Sequence, residues 1–141
     1  GRLEVKSEEV ALAPTLEELL ETYRLWAGQR DRVVTLVAAD PVVVRTDPRY
    51  LRQILHNLLT NAIRHGRGTV RVTVVRTPAG AMCRIENSIA PERSESQRMG
   101  LGLRIVRALA APLGCGGEVR ADGEIFVAEI LWQRTPAPPA N

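Results

Sequence analysis

The chain is poor in aromatic residues, cysteine and histidine, and each shortage narrows what it can be. Phe126 is its only phenylalanine, with two tryptophans and two tyrosines beside it. Single-strand nucleic-acid binders use aromatic platforms in basic grooves. Here the arginines are scattered, so the sequence pI of about 9.4 does not make a nucleic-acid-binding domain. Cys83 and Cys115 form neither a CxxC pair nor a metal-ligand spacing with His56 or His65. They read as small buried hydrophobes in a reducing compartment. No apolar run approaches the roughly 20 residues that span a bilayer, and no secretory leader pattern is visible. The 19 basic and 16 acidic residues are interspersed, so no block of one sign marks a charged tail. What remains is an ordinary globular composition over 141 residues, a length that fits one domain with a real core. The chain opens at Gly1 in charged sequence without a methionine, as expected of a piece excised from a longer protein.

The most informative stretch is DPRYLRQILHNLLTNAIRHG, from Asp47 to Gly66. Asp47 followed by Pro48 is a helix start: the carboxylate accepts from free backbone N–H groups, and proline fits the first helical position. Leu51, Ile54, Leu55, Leu58, Leu59, Ala62 and Ile63 recur at helical spacing and predict a buried face. Gln53, Asn57 and Asn61 fall four residues apart on another face, with Arg64 and His65 a turn further on, and Gly66 ends the helix. Asparagine competes for backbone hydrogen bonds inside a helix, so two in register need either a solvated face or a ligand.

Upstream, Thr15-Leu-Glu-Glu18 reads as a capping box starting a helix over about 16–29, with Leu16, Leu19, Leu20, Tyr23 and Trp26 or Ala27 inward. Residues 2–12 are compatible with a short strand or linker. Arg32 to Ala38 and Val42 to Arg45 read as two short strands joined by a turn at Asp40-Pro41. Downstream, Thr69 to Arg76 alternates as a half-buried strand. A turn at Pro78-Ala-Gly80 then leads to a second strand, Ala81 to Asn87. The polar stretch Pro91 to Arg98 predicts a loop feeding Gly100-Leu-Gly102-Leu103 and a helix over 104–113. Glu118 to Asp122 and Glu124 to Trp132 predict a hairpin around Asp122-Gly123. The order is α+β, with helices on one face of an antiparallel or mixed sheet.

Two features suit a phosphorylated ligand: the ridge of Asn57, Asn61, Arg64 and His65, and the unobstructed backbone amides of Gly100, Leu101, Gly102 and Leu103 at a helix start. In this order, about 35 residues apart, they resemble the catalytic ATP-binding domain of bacterial sensor histidine kinases, in the wider group shared with gyrase, Hsp90 and MutL. The Asp47 to Gly66 stretch looks like that family's N-box, CRIEN at Cys83 to Asn87 stands where its first glycine box begins, and GLGLRIV at Gly100 to Val106 looks like its second. The resemblance implies a two-layer α/β sandwich of the Bergerat type, with a mixed, mostly antiparallel sheet and three main helices on one face. It implies an entry linker over 1–14, a catalytic domain over 15–133 and a proline-rich tail over 134–141.

It further implies ATP and Mg²⁺ as cofactors, with Asn61 offering its carbonyl oxygen to Mg²⁺, Asn57 supporting phosphates or ribose, and Arg64 and His65 facing the phosphate tail. The amides of Gly100, Leu101, Gly102 and Leu103 would receive the terminal phosphates, and Asn87 would accept from the adenine amino group. Its partners would be a histidine-bearing dimerisation domain of the same protein and, indirectly, a response regulator. The parent would be a homodimeric inner-membrane sensor with this domain in the cytoplasm; the fragment alone would be monomeric. Asn87-Ser-Ile-Ala-Pro91 departs from the family's Asp-x-Gly-x-Gly, and Ile125 stands where a hydroxyl often helps to hold adenine. Neither His56-Asn57 nor His65-Gly66 matches the family's phosphoacceptor motif, so this chain lacks the acceptor histidine. The departure at Asn87 keeps an alternative in view: a degenerate module of this fold that acts through protein–protein contact.

Overall fold

Residues 6–38, 40–89, 116–122 and 124–133 are described in a computed structural model. The elements run β1 (Glu8–Ala11), α1 (Leu12–Gly28), β2 (Val33–Ala38), β3 (Val43–Thr46), α2 (Pro48–His65), β4 (Gly66–Thr77), β5 (Gly80–Ile89), β6 (Gly116–Asp122) and β7 (Ile125–Gln133). The main sheet has five strands in the order β2-β4-β5-β7-β6, and β1 and β3 form a separate two-stranded sheet. All pairings are antiparallel except β2 with β4. A parallel pair needs a crossover rather than a hairpin; β3 and α2 supply it.

The α2 helix follows its sequence grammar. Asp47 is the N-cap: its Oδ1 accepts from the Arg49 backbone N–H at 3.0 Å, and Pro48 opens the first turn. All seven predicted apolar positions, Leu51 through Ile63, are buried. They belong to one core with Val70, Val72 and Val74 of β4, Cys83 and Ile85 of β5, Phe126, Ala128 and Ile130 of β7, and the buried face of α1. Burying a side chain of this size contributes about 1.5–3 kcal/mol, so the layer rests on this interface. Burial also pushes the Cys83 thiol up to about 12, in keeping with its reading as a buried hydrophobe.

Two expectations are corrected. Helix α1 starts at Leu12, not near residue 16, and Ala11 at its N-cap makes no side-chain hydrogen bond. The Thr15 capping box is unused because Leu12, itself buried, donates its backbone N–H to Val42 O at 3.0 Å and so starts the helix one turn earlier. Pro14 is harmless in that first turn, where N–H groups lack intrahelical acceptors anyway. The strands on either side of Asp40-Pro41 do not pair with each other: β2 runs parallel to β4 from Val33↔Thr69 to Ala38↔Val74, and β3 pairs with β1 from Val43↔Ala11 to Thr46↔Glu8. The expected loop over 91–98, helix over 104–113 and tail over 134–141 lie outside the described residues, so two of the three expected helices are on view.

Candidate functional site

The polar ridge lies on the C-terminal half of α2, where the apolar spacing leaves it off the core. Asn57 and Asn61 are half-buried, and Gln53 and Arg64 are exposed. The Asn57 carboxamide folds back on its own helix, with Nδ2 donating to Gln53 O at 3.0 Å. This local bond fixes the rotamer and leaves Oδ1 and one Nδ2 hydrogen for an outside partner. One position before it, His56 Nδ1 lies 2.7 Å from the Tyr23 hydroxyl, tying α2 to α1. The backbone of His65 closes the helix; its side chain lies outside the described residues, as do Gly100, Leu101, Gly102 and Leu103.

Asn87 sits near the end of β5, opposite Phe126 of β7, with only 4% of its surface exposed. Its Nδ2 donates to Ser88 O at 2.9 Å, while its Oδ1 is buried and has no hydrogen-bond partner among the described residues. A buried acceptor without a donor costs about 1–3 kcal/mol, a cost that a ligand N–H group would remove. The Asn87 carboxamide lies directly against Gly66: a Cβ at that glycine would collide with Asn87 Nδ2 and come within 2.7 Å of Ala62 O. The structure therefore brings Asn87 to the end of the helix that carries Asn57 and Asn61.

That junction depends on a residue to which sequence reasoning gave no role. α2 passes into β4 without a loop, and Gly66 is already extended at φ −90° and ψ −176°, so the helix ends without a left-handed glycine cap to satisfy its last carbonyls. Arg32, just before β2, does so instead. Its Nη1 donates to Ala62 O at 3.1 Å, Ile63 O at 2.7 Å and Gly66 O at 2.9 Å, and its Nε donates to Gly68 O at 2.6 Å. The guanidinium is buried, and burial, with nearby Arg30 adding repulsion, lowers its pKa. Gly68 takes φ +68°, where glycine is favoured, inside a bulge that sets four residue steps of β4, Arg67 to Arg71, against two of β5. An arginine opening a β-branched run carries no periodic signal; its length and five donors were the only hint.

Asn87 also borders a hollow of about 220 Å³ lined by Thr69, Arg71, Glu86, Ser88 and Ile125. Thr69 and Arg71 alternate with the buried Val70 and Val72, so this hollow opens on the sheet face away from α2.

Residues 46–134 match the family of histidine kinase-, DNA gyrase B- and HSP90-like ATPases, and this span holds α2 and Asn87. The chain belongs to this family. It is therefore an ATP-binding domain, and the two-layer architecture expected from sequence is the one observed. Among curated relatives, it is 32% identical over 131 residues to the signal transduction histidine-protein kinase AfsQ2 of Streptomyces coelicolor, covering 77% of this chain and 24% of that protein. It is 30% identical over 167 residues to the sensor protein CseC of Streptomyces avermitilis, covering 98% of this chain and 32% of that protein. The chain thus spans about a quarter to a third of the length of these relatives. Among solved structures, the catalytic domain of histidine kinase ThkA superposes with a TM-score of 0.79 at 19% identity, over 94% of this chain and 99% of that one, a likeness of fold.

Proposed function

We propose that this ATP-binding domain is the catalytic part of a two-component sensor histidine kinase and presents Mg-ATP to a histidine on a separate dimerisation domain of the same protein. The observation that carries the reading is the meeting of Asn87, whose buried Oδ1 lacks a donor among the described residues, with Gly66 at the C-terminal end of α2, the helix that carries the ridge, within the span that matches the ATPase family. An orphaned acceptor at this point fits the adenine amino group. Ser88 O holds the Nδ2 end of the carboxamide, so Asn87 is turned to accept, as a carboxylate would.

ATP, when bound, supplies the transferable γ-phosphoryl group, and Mg²⁺ supplies charge neutralisation along the phosphates. The protein's part is to orient and to stabilise charge. Asn61 Oδ1 is a hard oxygen ligand suited to Mg²⁺. Asn57 keeps Oδ1 and one N–H for ribose or phosphate, and by the family resemblance Arg64 and His65 would serve the phosphate tail. By the family resemblance, the amides of Gly100, Leu101, Gly102 and Leu103 would receive the terminal phosphates. The dimerisation domain precedes β1, and the catalytic unit runs from β1, which pairs with β3, through β7, so the boundary moves ahead of the one expected at residue 15. The parent is a homodimeric inner-membrane sensor with this domain in the cytoplasm, acting through a response regulator; no described helix is long and apolar enough to cross a membrane.

Calorimetric titration of the chain with Mg-ATP tests the site, with Asn61→Ala as the control. Binding is expected from the wild type, and the variant should fold normally but lose the Mg²⁺-dependent part of the affinity. In the full-length protein the same change should abolish autophosphorylation. No heat at millimolar nucleotide would reject the nucleotide reading in favour of a degenerate interaction module, and unchanged metal dependence in Asn61→Ala would reject the metal assignment.

A further inference from the structure

We infer that Arg32 is a positioning residue of the nucleotide site, holding the α2 wall at a fixed separation from the Asn87 wall. The inference rests on the nucleotide reading above and adds to it a residue outside the N-box and glycine boxes. Among the four carbonyls that Arg32 holds, those of Ala62 and Ile63 directly follow Asn61 in the chain, so the guanidinium grips the turn that presents the proposed Mg²⁺ ligand. A third belongs to Gly66, the residue against which the Asn87 carboxamide packs. The fourth, Gly68 O, lies in the bulge through which β4 departs from α2. One buried side chain thus joins the helix turn, the helix–strand junction and the strand that pairs with β5.

The charge suits the place, because the C-terminal end of a helix carries partial negative charge and its last carbonyls lack intrahelical donors. The geometry demands arginine in particular. Three carbonyls share the two N–H groups of Nη1 and the fourth takes Nε–H, so donors are needed at two points of one rigid plane; a lysine ammonium holds all its donors at one point and reaches fewer of the four. Arg32 Nη2 is buried and without a partner among the described residues, so the guanidinium is held by the other contacts at the expense of two of its five N–H donors. Without this grip the last turn of α2 can fray or swing, and Asn61 and Arg64 lose their register with Asn87. A site whose walls are set by a supporting residue loses roughly tenfold or more in affinity when that support goes.

The test compares the wild-type chain with Arg32→Lys and Arg32→Met by Mg-ATP calorimetry, far below the unfolding midpoint of the weakest variant. Each is also measured for thermal unfolding and for the amide NMR shifts of Asn61, Gly66 and Asn87. A positioning role predicts a Kd raised about tenfold or more in folded Arg32→Met, a smaller rise in Arg32→Lys, and moved signals at all three residues. Adding Asn87→Ala should then cost less in Arg32→Met than in the wild type, because the wall it removes is already out of register. A lowered midpoint with unchanged Kd in both variants overturns the inference, leaving Arg32 a purely structural cap. Absence of binding by the wild type overturns the nucleotide reading itself and is distinguishable from that result. If neither variant folds, the wild-type Arg32 Nε–H resonance decides: it should shift on saturation with Mg-ATP, and an unmoved resonance overturns the inference.

Discussion

Asn87 occupies the space that a side chain at Gly66 would need. A Cβ there would meet both the Asn87 carboxamide and the Ala62 carbonyl oxygen, so this glycine answers to close approach and not to backbone angle, its φ of −90° being open to any residue. The contact brings the strand wall of the nucleotide site to the end of the helix wall, and forcing a side chain into it should be costly in two ways.

Gly66→Ala should therefore lower stability by about 1–3 kcal/mol, the usual cost of overpacking, and weaken Mg-ATP binding in the molecules that remain folded. Chemical denaturation and calorimetry on the same preparation measure the two effects separately. A stable variant with wild-type affinity would contradict the packing described.

The reverse change at the other partner tests Asn87 itself. Asn87→Ala opens space beside Gly66 and removes the orphaned acceptor, so the fold should tolerate it. Adenine nucleotides should nevertheless bind about tenfold more weakly, the worth of one hydrogen bond of about 1.4 kcal/mol. Equal affinity for ATP would mean that the base is held elsewhere.

Asp47 links the start of α2 to the entering chain, accepting from the Lys6 backbone N–H at 2.8 Å as well as from Arg49. The Arg49 side chain first, then the Lys6 N–H, hold its carboxyl well below the usual carboxylate range. With a folded pKa depressed below the unfolded value of about 3.9, its stabilising contribution is present above that pH and is lost as the pH falls toward the folded value. Acid unfolding followed by circular dichroism should show this loss below about pH 4. Asp47→Asn, which cannot titrate, should be less stable at neutral pH and show a shallower acid transition.

Tyr23 and His56 join the two described helices through a single 2.7 Å hydrogen bond. Tyr23→Phe keeps the buried ring and deletes only the hydroxyl, so it should cost about 1 kcal/mol. Burial raises the Tyr23 phenol above its usual value of 10.0; the unfolded chain ionises first, and stability falls as the pH climbs through that range. Thermal unfolding at pH 7 and at pH 10.5 should show the wild type losing more between the two than Tyr23→Phe.

Much of the helical layer is legible in the sequence because its signals are local. Asp47-Pro48 starts α2, the spacing of Leu51 to Ile63 fixes its buried face, and the alternation of Val70, Val72 and Val74 gives β4 its inward side, all as observed. The Thr15 capping box is an equally local signal that failed, because burying Leu12 and bonding its N–H to Val42 O outweighed a surface cap.

The sequence by itself determined which residues could form the α2 wall of the site, since helical periodicity alone puts Asn57, Asn61 and Arg64 off the core. Only the tertiary structure decided what stands opposite and what holds the walls together. The parallel pairing of β2 with β4 brings Arg32 under the end of α2, and the pairing of β4 with β5 sets Asn87 against Gly66. Strand partners are chosen by burial summed over the whole sheet, across separations of tens of residues. No single stretch of sequence contains that sum.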